Sequence, residues 1–380
     1  MFWDKLNYPI VGLSPMDGVT DAAMRFIAKK YGKADVIYTE FVSAEGLWRL
    51  KKRGEMDNKI WKDLIFDESE RPVIAQLFGS DPDSFFEATK IVCELGFDGI
   101  DINMGCPSPG LEKRGGGAGL MRDQGLAAAV IEATRQGVLD YVSQCHSDTG
   151  EKKEIPVSVK TRIGSAKPDE SWWKFLAQQK LPAVAMHGRT FKQLYKGEAD
   201  WESLFKASEI IRESGARFLG NGDVQKVSQC HSDTEEMKLM VELKNGEEVD
   251  LTGRMDGVLI GREALGNPWA LRKVTQRHSN TVTGERSDMR TLKERLMVMV
   301  EHANKYEEIY KFPKNNKELI GWIPGQARND INRFQFFPMR KHLTGYVRGF
   351  EGSVGLRKKL MTAENADTVE EMVNDFLREN

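Results

Sequence analysis

Residues 73–106 run VIAQLFGSDPDSFFEATKIVCELGFDGIDINMGC, and the architecture can be built outward from them. A short apolar run, Val73–Phe78, gives way to an amphipathic segment, Pro82–Leu95, and then to a second apolar run, Gly99–Asn103. Strand, helix and strand within about 30 residues make one parallel βαβ unit. The alternation continues on both sides. Ile10–Met16 and Val36–Phe41 precede this unit, and Val157–Arg162, Ala183–His187, Arg217–Asp223 and Gly257–Arg262 follow it. Asp21–Tyr31, Gly125–Val142, Asp169–Gln179 and Trp201–Glu213 read as intervening helices. Eight parallel strands with helices between them, over roughly 270 residues, predict an α/β fold of the (β/α)8 TIM-barrel type. A doubly wound open sheet would need a glycine-rich first turn. Here Ile10–Met16 leads into Asp17-Gly18-Val19-Thr20, which is no dinucleotide fingerprint.

Past about Ala270 the strand signals stop. Arg290–Tyr310 has helical spacing, and Glu318–Asn380 holds further helix candidates broken by glycines. The expected organisation is a catalytic barrel over residues 1–275 and a small all-helical C-terminal domain over residues 285–380.

Composition narrows the class. With 40% hydrophobic and 29% charged residues, the chain has the balance of a soluble globular protein. It shows no apolar run of about 18 residues that could span a bilayer, and Met1–Pro9 lacks a signal-peptide core. Cys93, Cys106, Cys145 and Cys230 are too sparse for a disulfide framework, so the cytoplasm is the expected compartment. Nothing calls for a protein partner, and a monomer is expected. The net charge of -2 gives no overall pull on nucleic acid, although Arg333–Lys341 and Arg357–Lys359 are locally basic.

The octapeptide VSQCHSDT occurs at Val142–Thr149 and again at Val227–Thr234. Its copies carry Cys145-His146 and Cys230-His231, which could together offer zinc two thiolates and two imidazoles. Adjacent side chains point apart on helix and strand alike, so a duplicated insert between a helix and the next strand is the expectation, with no metal site. Gly321–Asn332, GWIPGQARNDIN, reads as another insertion.

In a barrel the C-terminal strand ends share one mouth. Unusual residues fall there strand after strand: the first ends in Ser14-Pro15-Met16-Asp17, the second carries Glu40, Gln76 lies inside the third, Asn103 ends the fourth and Lys160 with Arg162 the fifth, His187-Gly188-Arg189 follows the sixth, and the last two close with Gly220-Asn221-Gly222-Asp223 and Gly261-Arg262. Any one of these could simply cap a helix. Together they are chemically coherent. Glycine turns with an arginine suit a phosphate, while Gln76, Lys160 and His187 offer donors to a polar ring system across the mouth. The loop Asn103-Met104-Gly105-Cys106-Pro107 sets a cysteine between Gly and Pro, where an ordinary thiol is mostly protonated at neutral pH and can donate a proton. Cys93, in an apolar helical segment, reads as core. The following Gly115–Gly119 run lacks the Gly-Lys-Ser/Thr of a P-loop and reads as a mobile loop over the mouth.

The motifs SPMDGVT (Ser14–Thr20), AQLFGS (Ala75–Ser80), DGIDINMGCP (Asp98–Pro107), VKTR (Val159–Arg162), HGRT (His187–Thr190), GNGD (Gly220–Asp223), GVLIGREALGNPW (Gly257–Trp269) and PMRKHL (Pro338–Leu343) recur in one family. In combination they make the chain resemble the tRNA-dihydrouridine synthases over nearly its whole length. That resemblance implies a barrel holding FMN at its mouth and a helical domain that helps grip tRNA. Pro15, Met16 and Asp17 would line the flavin ring; the family usually carries a small residue where this chain has Asp17. Gln76, Lys160 and His187 would bind the polar edge or ribityl chain, with Lys160 tuning the flavin electrostatically. Asn221, Gly222, Asp223, Gly261 and Arg262 would hold ribityl and phosphate. Asn103 would lie near the target base. NADPH (or NADH) would reduce FMN, a uridine would be flipped out of the tRNA, and hydride would pass to C6 while Cys106 protonates C5. Arg162, Arg189 and Lys192 would line the mouth against phosphates, and Arg340, Lys341 and His342 would add grip. Two alternatives remain. One is a small-molecule FMN-barrel oxidoreductase of the dihydroorotate dehydrogenase type, which the fold alone permits. The other is a non-catalytic RNA-binding protein disabled by its inserts, against which the strand-end ring argues.

Overall fold

In a computed structural model, residues 1–55, 58–144, 154–231, 237–276, 291–311 and 334–379 are described. The chain runs through β1 (Ile10–Leu13), α1 (Ala22–Gly32), β2 (Val36–Ser43), α2 (Ala44–Arg53), α3 (Lys59–Asp63), β3 (Val73–Phe78), α4 (Pro82–Glu94), β4 (Gly99–Met104), α5 (Pro109–Glu112), α6 (Gln124–Gln144), β5 (Val157–Arg162), α7 (Glu170–Gln178), β6 (Ala183–His187), α8 (Trp201–Arg212) and β7 (Arg217–Asn221). An excursion, β8 (Val224–His231), β9 (Met237–Leu243) and β10 (Glu248–Asp250), precedes β11 (Gly257–Ile260) and β12 (Lys273–Gln276). The parallel order β1-β11-β7-β6-β5-β4-β3-β2 closes on itself, giving the eight-stranded TIM barrel that the apolar runs foretold.

Period-two alternation explains its layers. Val11, Leu13, Ile37, Ala75, Ile100, Ile102, Val159, Val184 and Phe218 join the large core outside the barrel, beneath the helices. Ile10, Val36, Tyr38, Ile74, Ala183, Ala185, Leu219 and Leu259 form a separate buried cluster with Trp3. The polar residues of the same strands are thereby left for the C-terminal end. Side-chain caps fix where helices begin: Asp21 accepts from Met24 N, Asp81 from Ser84 N and Asp200 from Ser203 N.

The second octapeptide copy differs from expectation. Its first residues lie in β8, which pairs antiparallel with β9 and parallel with β12 in a four-stranded sheet of order β10-β9-β8-β12. The physical reason is a buried face: Val227, Leu239, Val241, Leu243, Val249 and Leu251 all enter the core. Strand pairing also persists past Ala270, because Lys273–Gln276 completes that sheet. Cys145, His146 and Gly321–Asn332 lie outside the described residues, as do the side chains of Cys230 and His231.

The C-terminal helices are α9 (Leu292–Tyr310), α10 (Arg340–Tyr346), α11 (Ser353–Leu360) and α12 (Ala366–Glu379). Leu296, Met299, Ala303, Leu343, Tyr346, Leu356, Leu360, Val369 and Val373 make their core, which includes Ala22, Ala23 and Ile27 of α1. The helical unit is therefore seated on the first helix of the barrel. Among the described residues no helix is long and apolar enough to cross a membrane.

Candidate active site at the barrel mouth

The polar ends of the strands form one connected array. Ser158 Oγ donates to Asp101 Oδ1 (2.7 Å) and Gln76 Nε2 to Asp101 Oδ2 (2.7 Å). Asn103 Nδ2 donates to Gln76 Oε1 (2.9 Å), and Asn103 Oδ1 accepts from Cys106 N (2.8 Å) and Gly105 N (3.1 Å). The ionised Asp101 can only accept, which orients the Gln76 amide, then the Asn103 amide, then the cysteine loop. Burial raises the Asp101 carboxyl to about 6, opposed by the bonds from Ser158 and Gln76. Asp101 was visible as an acid inside an apolar strand, yet only the structure shows it anchoring Gln76 and Asn103.

Cys106 is half-buried at the start of this loop. Burial pushes its thiol pKa up, and the Asp17 carboxylate adds to this; a backbone hydrogen bond from Ser108 and the charges of Arg162 and Lys160 oppose. The sulfur is therefore held as a neutral thiol. Residues of the Gly115–Gly119 run pack against it. Ala118 N donates to Cys106 O (3.2 Å), and a Cβ on Gly117, whose φ is 55°, would lie 3.1 Å from that same oxygen. Gly117–Met121 is buried in a short 3-10 turn.

Lys160 Nζ contacts Asn221 Oδ1 (3.2 Å), and among the described residues no carboxylate pairs with it. Burial, with the Arg162 charge, lowers its pKa to about 8. His187 Nδ1 accepts from Arg189 N (3.2 Å), which puts the proton of a neutral ring on Nε2. Burial keeps this imidazole well below its usual pKa, with Arg162, Lys160, Arg189 and Arg262 adding to the effect. Its Nε2 lies 3.6 Å from where a Gly222 Cβ would stand. The Gly222–Asp223 and Gly261–Arg262 turns follow adjacent strands, with Arg262 Nη2 3.8 Å from Asp223 Oδ1. Arg262 is exposed over the Tyr195 ring. Pro15 and Met16 are half-buried and Asp17 is exposed.

Three of the expected phosphate contacts have other duties. Arg162 is buried, its Nε donating to Gly105 O (2.8 Å) and its Nη1 to Thr190 O and Leu194 O (both 3.1 Å). It thus ties the cysteine loop to the loop after β6. Arg189 is buried in a bidentate pair with Asp223 (2.9 and 2.7 Å), so that carboxylate serves an arginine and leaves only the turn's backbone for a ligand. His342 is fully buried against Asp21 (2.8 Å). Burial withdraws each of these groups from solvent, and a phosphate would have to displace an existing partner. Lys192 is exposed, Arg340 Nε donates to Ala363 O (2.9 Å), and Lys341 Nζ lies 3.4 Å from where a Gly18 Cβ would stand.

A closed (β/α)8 barrel whose C-terminal mouth gathers a cation, neutral imidazole, amides and a protonated thiol has the form of a TIM-barrel enzyme. The sequence model of the family described as dihydrouridine synthase (Dus) matches residues 12–380. The chain belongs to the dihydrouridine synthase family. Similar proteins include a probable tRNA-dihydrouridine synthase of Staphylococcus aureus (strain MRSA252), 30% identical over 383 residues, covering 99% of this chain and 95% of that protein. A probable tRNA-dihydrouridine synthase 2 of Bacillus subtilis (strain 168) is 29% identical over 381 residues, covering 99% and 97%. Among solved structures, morphinone reductase aligns with a TM-score of 0.39 at 12% identity, over 71% of this chain and 87% of that one.

Proposed function

We propose that the protein reduces the C5–C6 bond of uridines in tRNA, using FMN at the barrel mouth and NADPH or NADH as the source of electrons. The observation that carries this reading is the fixed Asp101–Gln76–Asn103 chain holding the Cys106 loop beside Lys160. The donor set fits a flavin. An unpaired lysine ammonium, an Nε2–H of His187 and the Gln76 amide suit its electron-rich edge and ribityl hydroxyls, and Asn221 with the glycine turns and Arg262 suits its phosphate. Pro15, Met16 and Asp17 would border the ring. Bound there, FMN supplies the hydride that uracil C6 accepts.

The chain's own residues supply the rest. Cys106 Sγ gives a proton to C5, and the raised thiol pKa keeps that proton in place near neutrality. Asn103 sets the loop at the height of the base. Lys160 keeps its charge below about pH 8 and offers it to the ring edge. Lys341 from the helical unit and Lys192 from the loop after β6 take the phosphates, with Arg340 beside them. Such a substrate places the protein in the cytoplasm, where tRNA is used.

Cys106→Ala should bind FMN as the wild type does and accept electrons from NADPH, yet form dihydrouridine about 100-fold or more slowly, the scale of a lost general acid. The measurement is single-turnover dihydrouridine formation on unmodified tRNA by the prereduced enzyme. A wild-type rate in Cys106→Ala would remove the thiol from the mechanism. Reoxidation of the reduced wild type by a small acceptor such as orotate, and not by tRNA, would replace the substrate class.

A further inference from the structure

The seam between barrel and helical unit holds a second cluster of titratable groups, remote from the proposed chemistry. Asp21 stands at the N-cap of α1, His302 on α9 and His342 on α10, and all three are buried. One ligating atom from each lies within 4.8 Å of the others. Asp21 Oδ1 accepts from Met24 N (2.9 Å), which leaves Oδ2 directed at His342 Nε2 (2.8 Å). His302 Nδ1 is 3.1 Å from Tyr346 Oη, while its Nε2 is buried and has no partner; His342 Nδ1 is likewise buried and alone. Helix capping and packing account for Asp21 and for the rings. They do not account for the bare Nε2 of His302, since buried polar atoms are nearly always satisfied.

We propose that Asp21, His302 and His342 form a binding site for a divalent transition metal of the zinc class, joining the first barrel helix to the C-terminal helices. The donor set is one carboxylate and two imidazoles, which zinc accepts at about 2.0–2.2 Å with water completing a tetrahedron. Donor atoms around such an ion stand roughly 3.3 Å apart, so a gap at the 4.8 Å limit must close by about 1.5 Å, and the metal replaces the Asp21–His342 hydrogen bond. Tyr346 fills the usual outer role: its hydroxyl takes the Nδ1 proton of His302 and turns the Nε2 lone pair toward the site. The proposal stands apart from the flavin reading, because none of its residues touches the mouth array.

The test uses untagged full-length protein carrying Cys145→Ser and Cys230→Ser, so that the duplicated thiol–imidazole segments cannot report. After chelator treatment and gel filtration the protein is titrated with Zn2+ against a competing indicator, and its melting temperature is read with and without the metal. One equivalent should bind and raise the melting temperature. His302→Gln should abolish both effects. Tyr346→Phe keeps all three ligands and should weaken zinc affinity about 10- to 100-fold. Failure of the parent protein to take up zinc would overturn the proposal, as would unchanged affinity in a folded His302→Gln variant. Should His302→Gln not fold, unchanged affinity in Tyr346→Phe would overturn it instead.

Discussion

Asp101 shows how one buried carboxylate can serve a site at the expense of the fold. Its folded value of about 6 exceeds the ordinary 3.8, so it is a raised acid. Below 3.8 it is protonated in both states and costs nothing. As pH rises toward 6 the unfolded chain releases its proton first, and stability falls by up to about 3 kcal/mol for a two-unit shift. Asp101→Asn removes that proton linkage. Urea midpoints at pH 4 and pH 7 should therefore converge in the variant relative to wild type; parallel pH profiles would show that the carboxyl is not raised. The Asn103 amide should also lose its fixed orientation, because asparagine can donate to Gln76 where the carboxylate could not. The sequence singled out Gln76, Asn103 and Cys106 because each is a polar or reactive residue in or just after an apolar strand. It concealed the buried contacts of Arg162, Arg189 and His342, since a basic side chain reads the same in sequence whether it faces solvent or a buried acceptor.

At the scale of elements, the eight barrel strands were legible because each is a short apolar run followed by an amphipathic segment. The inserted sheet was less so. Val-Ser-Gln is helical at the end of α6 as Val142–Gln144 and extended in β8 as Val227–Gln229. Local propensity cannot separate identical tripeptides; Val227 is extended because β9 and β12 pair with it over a buried face. The available signal was the alternation Leu239, Val241, Leu243 ahead of Asn245-Gly246, a hairpin turn in which Gly246 has φ 85°. A similar contest between local and tertiary effects decides two helical glycines. Gly355 in α11 is exposed, with nothing within 4 Å of a Cβ, so Gly355→Ala should stabilise by about 0.5–1 kcal/mol. A Cβ on Gly345 in α10 would stand 2.8 Å from Leu265 O and 3.0 Å from Gly266 N, where barrel and helical unit touch. Gly345→Ala should instead destabilise by roughly 1–3 kcal/mol. Urea denaturation of both variants gives the comparison, and a stabilised Gly345→Ala would mean that the seam can open without strain.

Over the whole molecule, the net charge of -2 argues against a broad electrostatic embrace of RNA, so the proposed tRNA substrate would have to be met by a few placed cations. Lys341 is the best placed of them. It lies on a helix that carries both a seam residue, His342, and an ammonium reaching back to Gly18 in the Ser14–Thr20 loop beside the mouth. Docking the helical unit on α1 therefore carries a positive charge to the rim of the barrel. Lys341→Ala should weaken tRNA binding and reduce the slope of log Kd against log salt by about 0.7–0.9, the change for one phosphate contact. Its unfolding midpoint should stay that of the wild type, because no ion pair is lost among the described residues. His342→Ala provides the contrast. It opens the buried seam, so its main loss should be stability, with the salt slope for tRNA intact. An unchanged slope in Lys341→Ala, measured by filter binding between about 50 and 200 mM salt, would move the RNA path away from this helix and toward the Lys192 and Arg262 side of the mouth.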